Sequence, residues 1–152
     1  TSEWIRQGEA RGIFREITDV LSGDNLSGQR FSFMSTHTNS YRQLKDNPAE
    51  IARIVQMEQE LNKFTDYFVI PKVDVKKMEH LLKDGDILGF NSTVEGLDIA
   101  HVALVYHKEN GEVGFIHASQ ADGKVVIDEK SIHDYVNARK SNNGIRIVRV
   151  NR

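Results

Sequence analysis

His101 and His117 are the residues whose type and setting point most directly to acid–base chemistry. Each lies in an apolar run, Ile99-Ala100-His101-Val102-Ala103-Leu104-Val105-Tyr106 and Val113-Gly114-Phe115-Ile116-His117-Ala118-Ser119, with Glu109-Asn110-Gly111 between them. A strand that is apolar on both faces has little reason to carry imidazole unless the ring has a partner or a task. Loop length decides whether the two rings cooperate. A two-residue Asn-Gly turn pairs Glu109 with Glu112 and sends the rings to opposite faces. A three-residue loop with Gly111 left-handed pairs Lys108 with Glu112, sets His101 across from Ser119, and puts His117 across from Ala103. Both rings then share one face as diagonal neighbours, which long side chains can bridge. Glycine suits the third loop position, which favours this arrangement.

Gathered in this way, the pair has three readings. His101 can take a proton while His117 holds its other ring nitrogen. The two rings can instead ligate a metal, with Asp98 or Asp122 as the carboxylate. The plain alternative is two half-buried rings, each bonded to backbone. No HExxH-like pair supports a metal hydrolase, and Glu95 and Asp98 stand too close in sequence for the two facing carboxylates that sugar hydrolysis needs. Ser35 and His37 fall in a polar run after an extended segment and are candidate groove residues. The plain alternative there is a loop in which Ser and Thr satisfy local backbone groups.

The elements that must position these residues follow from hydrophobic period. Helical spacing is read from about Glu9 to Leu21, stopped by Ser22-Gly23-Asp24-Asn25. Phe31 and Phe33 alternate with polar neighbours, as in an extended segment. Asn47, Pro48 and Glu50 open the clearest helix. A strand over Asp66–Ile70 ends at Pro71, and Asp74 is placed as the cap of a short helix reaching Leu82. From Gly85 the pattern turns to strands: Asp86–Asn91, Ile99–His107, Val113–Ala118, Lys124–Asp128 and Gly144–Val150. One helix interrupts them, capped at Ser131 with Asp134 three residues on. The expectation is an α+β fold, a small curved antiparallel sheet with helices against it. Residues 1–152 form a single domain or the C-terminal part of one, with a mixed region over 1–84 and a strand-rich core over 85–152.

Composition narrows the class. The chain has 152 residues, a formal net charge of −2, 39% hydrophobic residues and no Cys. That is a one-domain globular balance. It speaks against a partner held by a strong basic field, such as nucleic acid. It leaves no thiol in the chain for catalysis, disulfides or metal. No segment reaches 18 apolar residues, so no membrane-spanning helix is expected.

Gly85-Asp86-Ile87, His101-Val102-Ala103-Leu104-Val105 and Phe115-Ile116-His117-Ala118-Ser119 resemble the C-terminal core of NlpC/P60-type cysteine peptidases, whose sheet is a half-barrel. With Trp4-Ile5-Arg6, Phe33-Met34-Ser35-Thr36-His37, Ile70-Pro71-Lys72 and Gly96-Leu97-Asp98-Ile99-Ala100 added, the whole chain more closely resembles the bacterial N-acetylmuramoyl-L-alanine amidase-like family DUF1460. The resemblance implies a cell-envelope enzyme, periplasmic or secreted, acting on peptidoglycan or muropeptides without a cofactor. A Cys thiolate attacks an amide carbonyl, His101 is the base, and His117 orients it. Ser35, His37, Asp98 and Ser119 would line the substrate groove. The family's Cys precedes the region matching Thr1, so the nucleophile is expected outside this chain. It would come from a separate N-terminal segment, and a homodimer could cover the apolar surface left open. A muropeptide-binding module without chemistry and a zinc hydrolase built on His101 and His117 are the alternatives.

Overall fold

The computed structural model describes residues 1–151. Helix α1 (Ser2–Ala10) and the short strands β1 (Phe14–Glu16) and β2 (Asp24–Asn25) come first. They are followed by α2 (Phe33–Thr36), α3 (Pro48–Leu61), β3 (Phe68–Pro71) and α4 (Lys72–Met78). The second half is β4 (Ile87–Ser92), β5 (Ile99–His107), β6 (Val113–Ser119), β7 (Lys124–Ile127), α5 (Ile132–Asn137) and β8 (Asn142–Val150). The strands form one antiparallel, unclosed sheet in the order β2-β3-β8-β4-β5-β6-β7, with β1 also paired to β8. This is the expected α+β architecture. Strand β8 returns after α5 to lie beside β4, so the last strand joins the early strands to the late ones.

The two faces of the sheet have different covers. Phe90, Phe115, Leu88, Ile145 and Ile147 point to the inner face and pack with Ile132 and Val136 of α5 and Val75 of α4. On the other face Ile5 of α1 packs with Phe14 and Val148. Alternation along β8 explains this, since residues 145 and 147 face one way and 148 the other.

The late strands match the expected spans closely, because short apolar runs bounded by turn residues mark them. The early region differs. The helix expected near residues 9–21 is instead α1, which stops at Ala10. Gly12 at φ +66° ends it, with Ile13 N–H donating to Gly8 O and Gly12 N–H to Glu9 O, a Schellman arrangement. Phe14 and Ile17 therefore belong to β1 and the turn after it. The extended segment expected over Arg30–Ser35 gives way at Phe33 to the one-turn helix α2. Its exposed amides at Met34 and Ser35 are satisfied by the Glu58 carboxylate of α3, at 3.0 and 3.2 Å. Helix α4 begins at Lys72 behind Pro71, so Asp74 sits in the first turn rather than at the cap. At α3 and α5 the caps are as expected: Asn47 Oδ1 accepts from Glu50 N–H and Ser131 Oγ from Asp134 N–H.

Candidate active site

The β5–β6 hairpin has the three-residue loop. Lys108 N–H donates to Glu112 O at 2.8 Å, Gly111 N–H donates to Lys108 O at 2.9 Å, and Gly111 has φ +83°. Pairing runs from His107↔Val113 to Leu104↔Ile116, and the same register carried on places His117 across from Ala103. A second device aims His101. The β4–β5 register shifts between Phe90↔His101 and Asn91↔Ile99, leaving Ala100 as the extra residue of a bulge. Ile99 consequently lines a cavity with Trp4 and Val102, while His101 lines a different one with His117.

The two rings meet. His101 Nε2 lies 2.8 Å from His117 Nδ1, with the ring planes at 84°. His117 is buried, and its Nε2 stands 3.3 Å from Asp128 Oδ2. That approach suits charge attraction but is not aligned as a hydrogen bond, and Nε2 has no other partner. The Asp128 carboxylate favours the proton on His117 Nε2. His117 Nδ1 then accepts from His101 Nε2–H, and His101 Nδ1 keeps a free lone pair. Burial, followed by repulsion from His117 and Arg139, holds the His101 pKa below its ordinary 6.5. Its neutral, proton-accepting form is the one favoured at pH 7.

Aromatic packing fixes the pair from below. Phe90 stacks on His101 at 6.0 Å between centroids, and Phe115 meets His117 edge-on at 5.1 Å. Tyr135 of α5 touches both, at 6.5 and 5.7 Å. The rings open on a cavity of about 510 Å³ whose lining includes Ser119, Gln120, Tyr135, Arg139 and Asn142 but no Asp or Glu. A roomier cavity of about 1080 Å³ is lined by Arg149 and Asp86, already paired at 2.6 Å, and contains no comparable base.

Of the sequence candidates, the structure gathers His101, His117 and Ser119 at one cavity. Ser119 Oγ donates to Asp122 Oδ2 at 2.6 Å and accepts from Asp122 N–H, so its proton is held in a local turn. Ser35, His37 and Asp98 do not line that cavity. Ser35 Oγ donates to Ser32 O, and His37 stacks on Phe33 at 4.0 Å. Asp98 is buried, and its carboxylate accepts from Ser2 N–H at 2.7 Å at the start of α1. Asp128 was not singled out from the sequence. The diagonal rule that joined the histidines finds it one strand further on: His117 faces Val126, and Asp128 is two residues along the same face. Among the described residues no three His, Cys, Asp or Glu side chains are grouped to hold a metal, and the nitrogens of His101 and His117 that meet are turned on each other.

A family model described as AmiA-like, N-acetylmuramoyl-L-alanine amidase-like, matches residues 1–145. The fold is similar to a crystal structure of an N-acetylmuramoyl-L-alanine amidase from Bacteroides uniformis ATCC 8492, with TM-score 0.89 and 29% identity over 98% of this chain. It is also similar to a Bacteroides fragilis protein structure provisionally named a xylanase, with TM-score 0.87 and 29% identity over 97% of this chain. A Legionella pneumophila str. Philadelphia 1 protein matched by the DUF1460 model shares the fold, at TM-score 0.66 and 19% identity, over 97% of this chain and 59% of its own. The chain spans 62% and 64% of the two Bacteroides chains. No curated protein is similar to it at a significant level.

Proposed function

Because the chain belongs to the N-acetylmuramoyl-L-alanine amidase-like family, we propose that it is the base-bearing part of a peptidoglycan amide hydrolase working outside the cytoplasm by an NlpC/P60-like Cys-His-His mechanism. The observation that carries this reading is the 2.8 Å contact between His101 Nε2 and His117 Nδ1, which leaves His101 Nδ1 to act on the cavity side. His101 takes the thiol proton, and the thiolate attacks the amide carbonyl carbon. The protonated ring then passes its proton to the departing amine, which leaves a thioester. His101 next takes a proton from water, which attacks the thioester and releases the acid and the thiol. His117, held by Asp128, keeps the tautomer and spreads the positive charge that forms on His101.

The sequence contains no Cys, so the thiol comes from outside these 152 residues. A second copy of this chain brings none, which leaves a different polypeptide segment as the partner. Ser119 is a poor substitute, since its hydroxyl proton is committed to Asp122. Sugar hydrolysis lacks its pair of facing carboxylates, because no acidic residue lines the cavity. The lack of Cys also favours a second reading, a muropeptide-binding module.

The test digests purified peptidoglycan with protein that includes the thiol-bearing segment and weighs the released fragments by mass spectrometry. Release should stop with iodoacetamide and with His101→Ala, should persist with a chelator, and should be absent for this chain alone. Release that survives both alkylation and His101→Ala would contradict the mechanism. Muropeptide binding with no release in any form would favour the module.

A further inference from the structure

Arg139 stands on the wall of the His101 cavity and takes no part in the proton relay. It lies four residues after Tyr135, just past the end of α5, and its guanidinium carbon is stacked 3.6 Å from the Tyr135 ring centre. The stacking uses the flat face and leaves the five N–H donors at the edge free. Among the described residues no carboxylate pairs with it, whereas the guanidiniums of Arg146 and Arg149 each hold a carboxylate at 2.6 Å. Asp122 is engaged with Ser119 and Asp128 with His117, and Asp134, next to Tyr135 in the chain, is exposed and does not line the cavity. Lys72 holds the Arg139 backbone, its ammonium donating to Arg139 O at 2.6 Å. The cavity therefore holds a base and a braced cation with no compensating acid on its lining.

We propose that Arg139, braced by Tyr135, receives a carboxylate of the substrate beside the scissile amide, so that the site selects amides in acidic peptides. The inference rests on the amide-hydrolase reading of the same cavity and names the feature of the substrate that the cavity reads. A carboxylate matches the guanidinium fork with two parallel hydrogen bonds. It also has a consequence for the base. Arg139 repels a proton from His101 in the empty site. An anion bound to Arg139 cancels that repulsion, so the acidic substrate itself makes His101 a stronger base. His117 and Tyr135, with Asp128 behind His117, are the other titratable groups around that ring, and Tyr135 also feels the Arg139 charge.

The test is calorimetric binding of acetyl-Ala-γ-Glu-Lys-amide, with the Glu α-carboxylate either free or converted to the carboxamide, to the chain and to Arg139→Gln and Arg139→Lys. The free-carboxylate form should bind at least about tenfold more tightly, about 1.4 kcal/mol. Arg139→Gln should remove that preference and bind the carboxamide as the parent does, while Arg139→Lys should keep part of it. Equal binding of both forms by the parent chain, or an equal loss of both forms in Arg139→Gln, would overturn the proposal. Failure of both forms to bind the parent and both variants would overturn it together with the amide-hydrolase reading. Those two failures are therefore told apart by whether the carboxamide binds.

Discussion

His101 and His117 meet because two strands with a period of two are joined by a loop of fixed length. Both the loop and its consequence could be read from Glu109-Asn110-Gly111 and the positions of the rings. The same arithmetic extended to β7 reaches Asp128, two residues past the partner of His117. Asp98 lies just before β5, beyond the reach of strand alternation. Its carboxylate accepts from Ser2 N–H at the head of α1, a contact made across 96 residues that no local pattern carries. Burial of His101 predicts a pH dependence with a definite sign. Its folded pKa is below the ordinary 6.5, so the unfolded chain binds that proton first. This contribution to stability is complete above about pH 6.5 and is lost as pH falls through the folded pKa. Thermal unfolding followed from pH 8 to pH 5 should show a decline that His101→Gln reduces. An unchanged profile in that variant would contradict the assignment.

At the scale of elements, what could be read depended on where the stabilising group lies. The caps at Asn47 and Ser131 are local in sequence, and both were legible. Helix α2 takes its cap from Glu58, more than twenty residues away, and no local pattern carries that information. The end of α1 was legible in principle, since Gly12 supplies the left-handed residue after the helix. The spacing of Ile13, Phe14 and Ile17 imitated a helical stripe and concealed it. Nothing lies within 4 Å of a Cβ built on Gly12, so Gly12→Ala isolates backbone strain. It should cost about 1 kcal/mol in chemical denaturation, with Gly12→Asn costing less. A neutral Gly12→Ala would contradict the left-handed cap.

Over the whole molecule, β8 is the member that fastens the first half to the second, and a buried ion pair accompanies it. Arg146, 5% exposed, donates to both oxygens of Glu16 at 2.8 and 2.6 Å and to Ser2 Oγ at 2.8 Å, beneath the Tyr67 ring. Glu16→Ala would strand the guanidinium without a counter-charge, and the expected loss is about 3–5 kcal/mol. Urea unfolding checks this, and a loss below about 1 kcal/mol would contradict it. Polar pairs of this kind, made between segments 130 residues apart, have no signature in sequence period. Exposed apolar side chains gather on the outer face, where Leu104, Ile116 and Ile127 align in one row and Val102 and Val125 stand beside it. That face is opposite the one that carries His101. The central claim is that a carboxylate, two imidazoles and one free lone pair form a directed relay. Nitrogen-15 NMR of the histidine rings tests it most directly. The account predicts that at pH 7 His101 is neutral, protonated on Nε2 and bare on Nδ1, with its pKa below 6.5. A His101 ring protonated on Nδ1, or one titrating above 6.5, would contradict it.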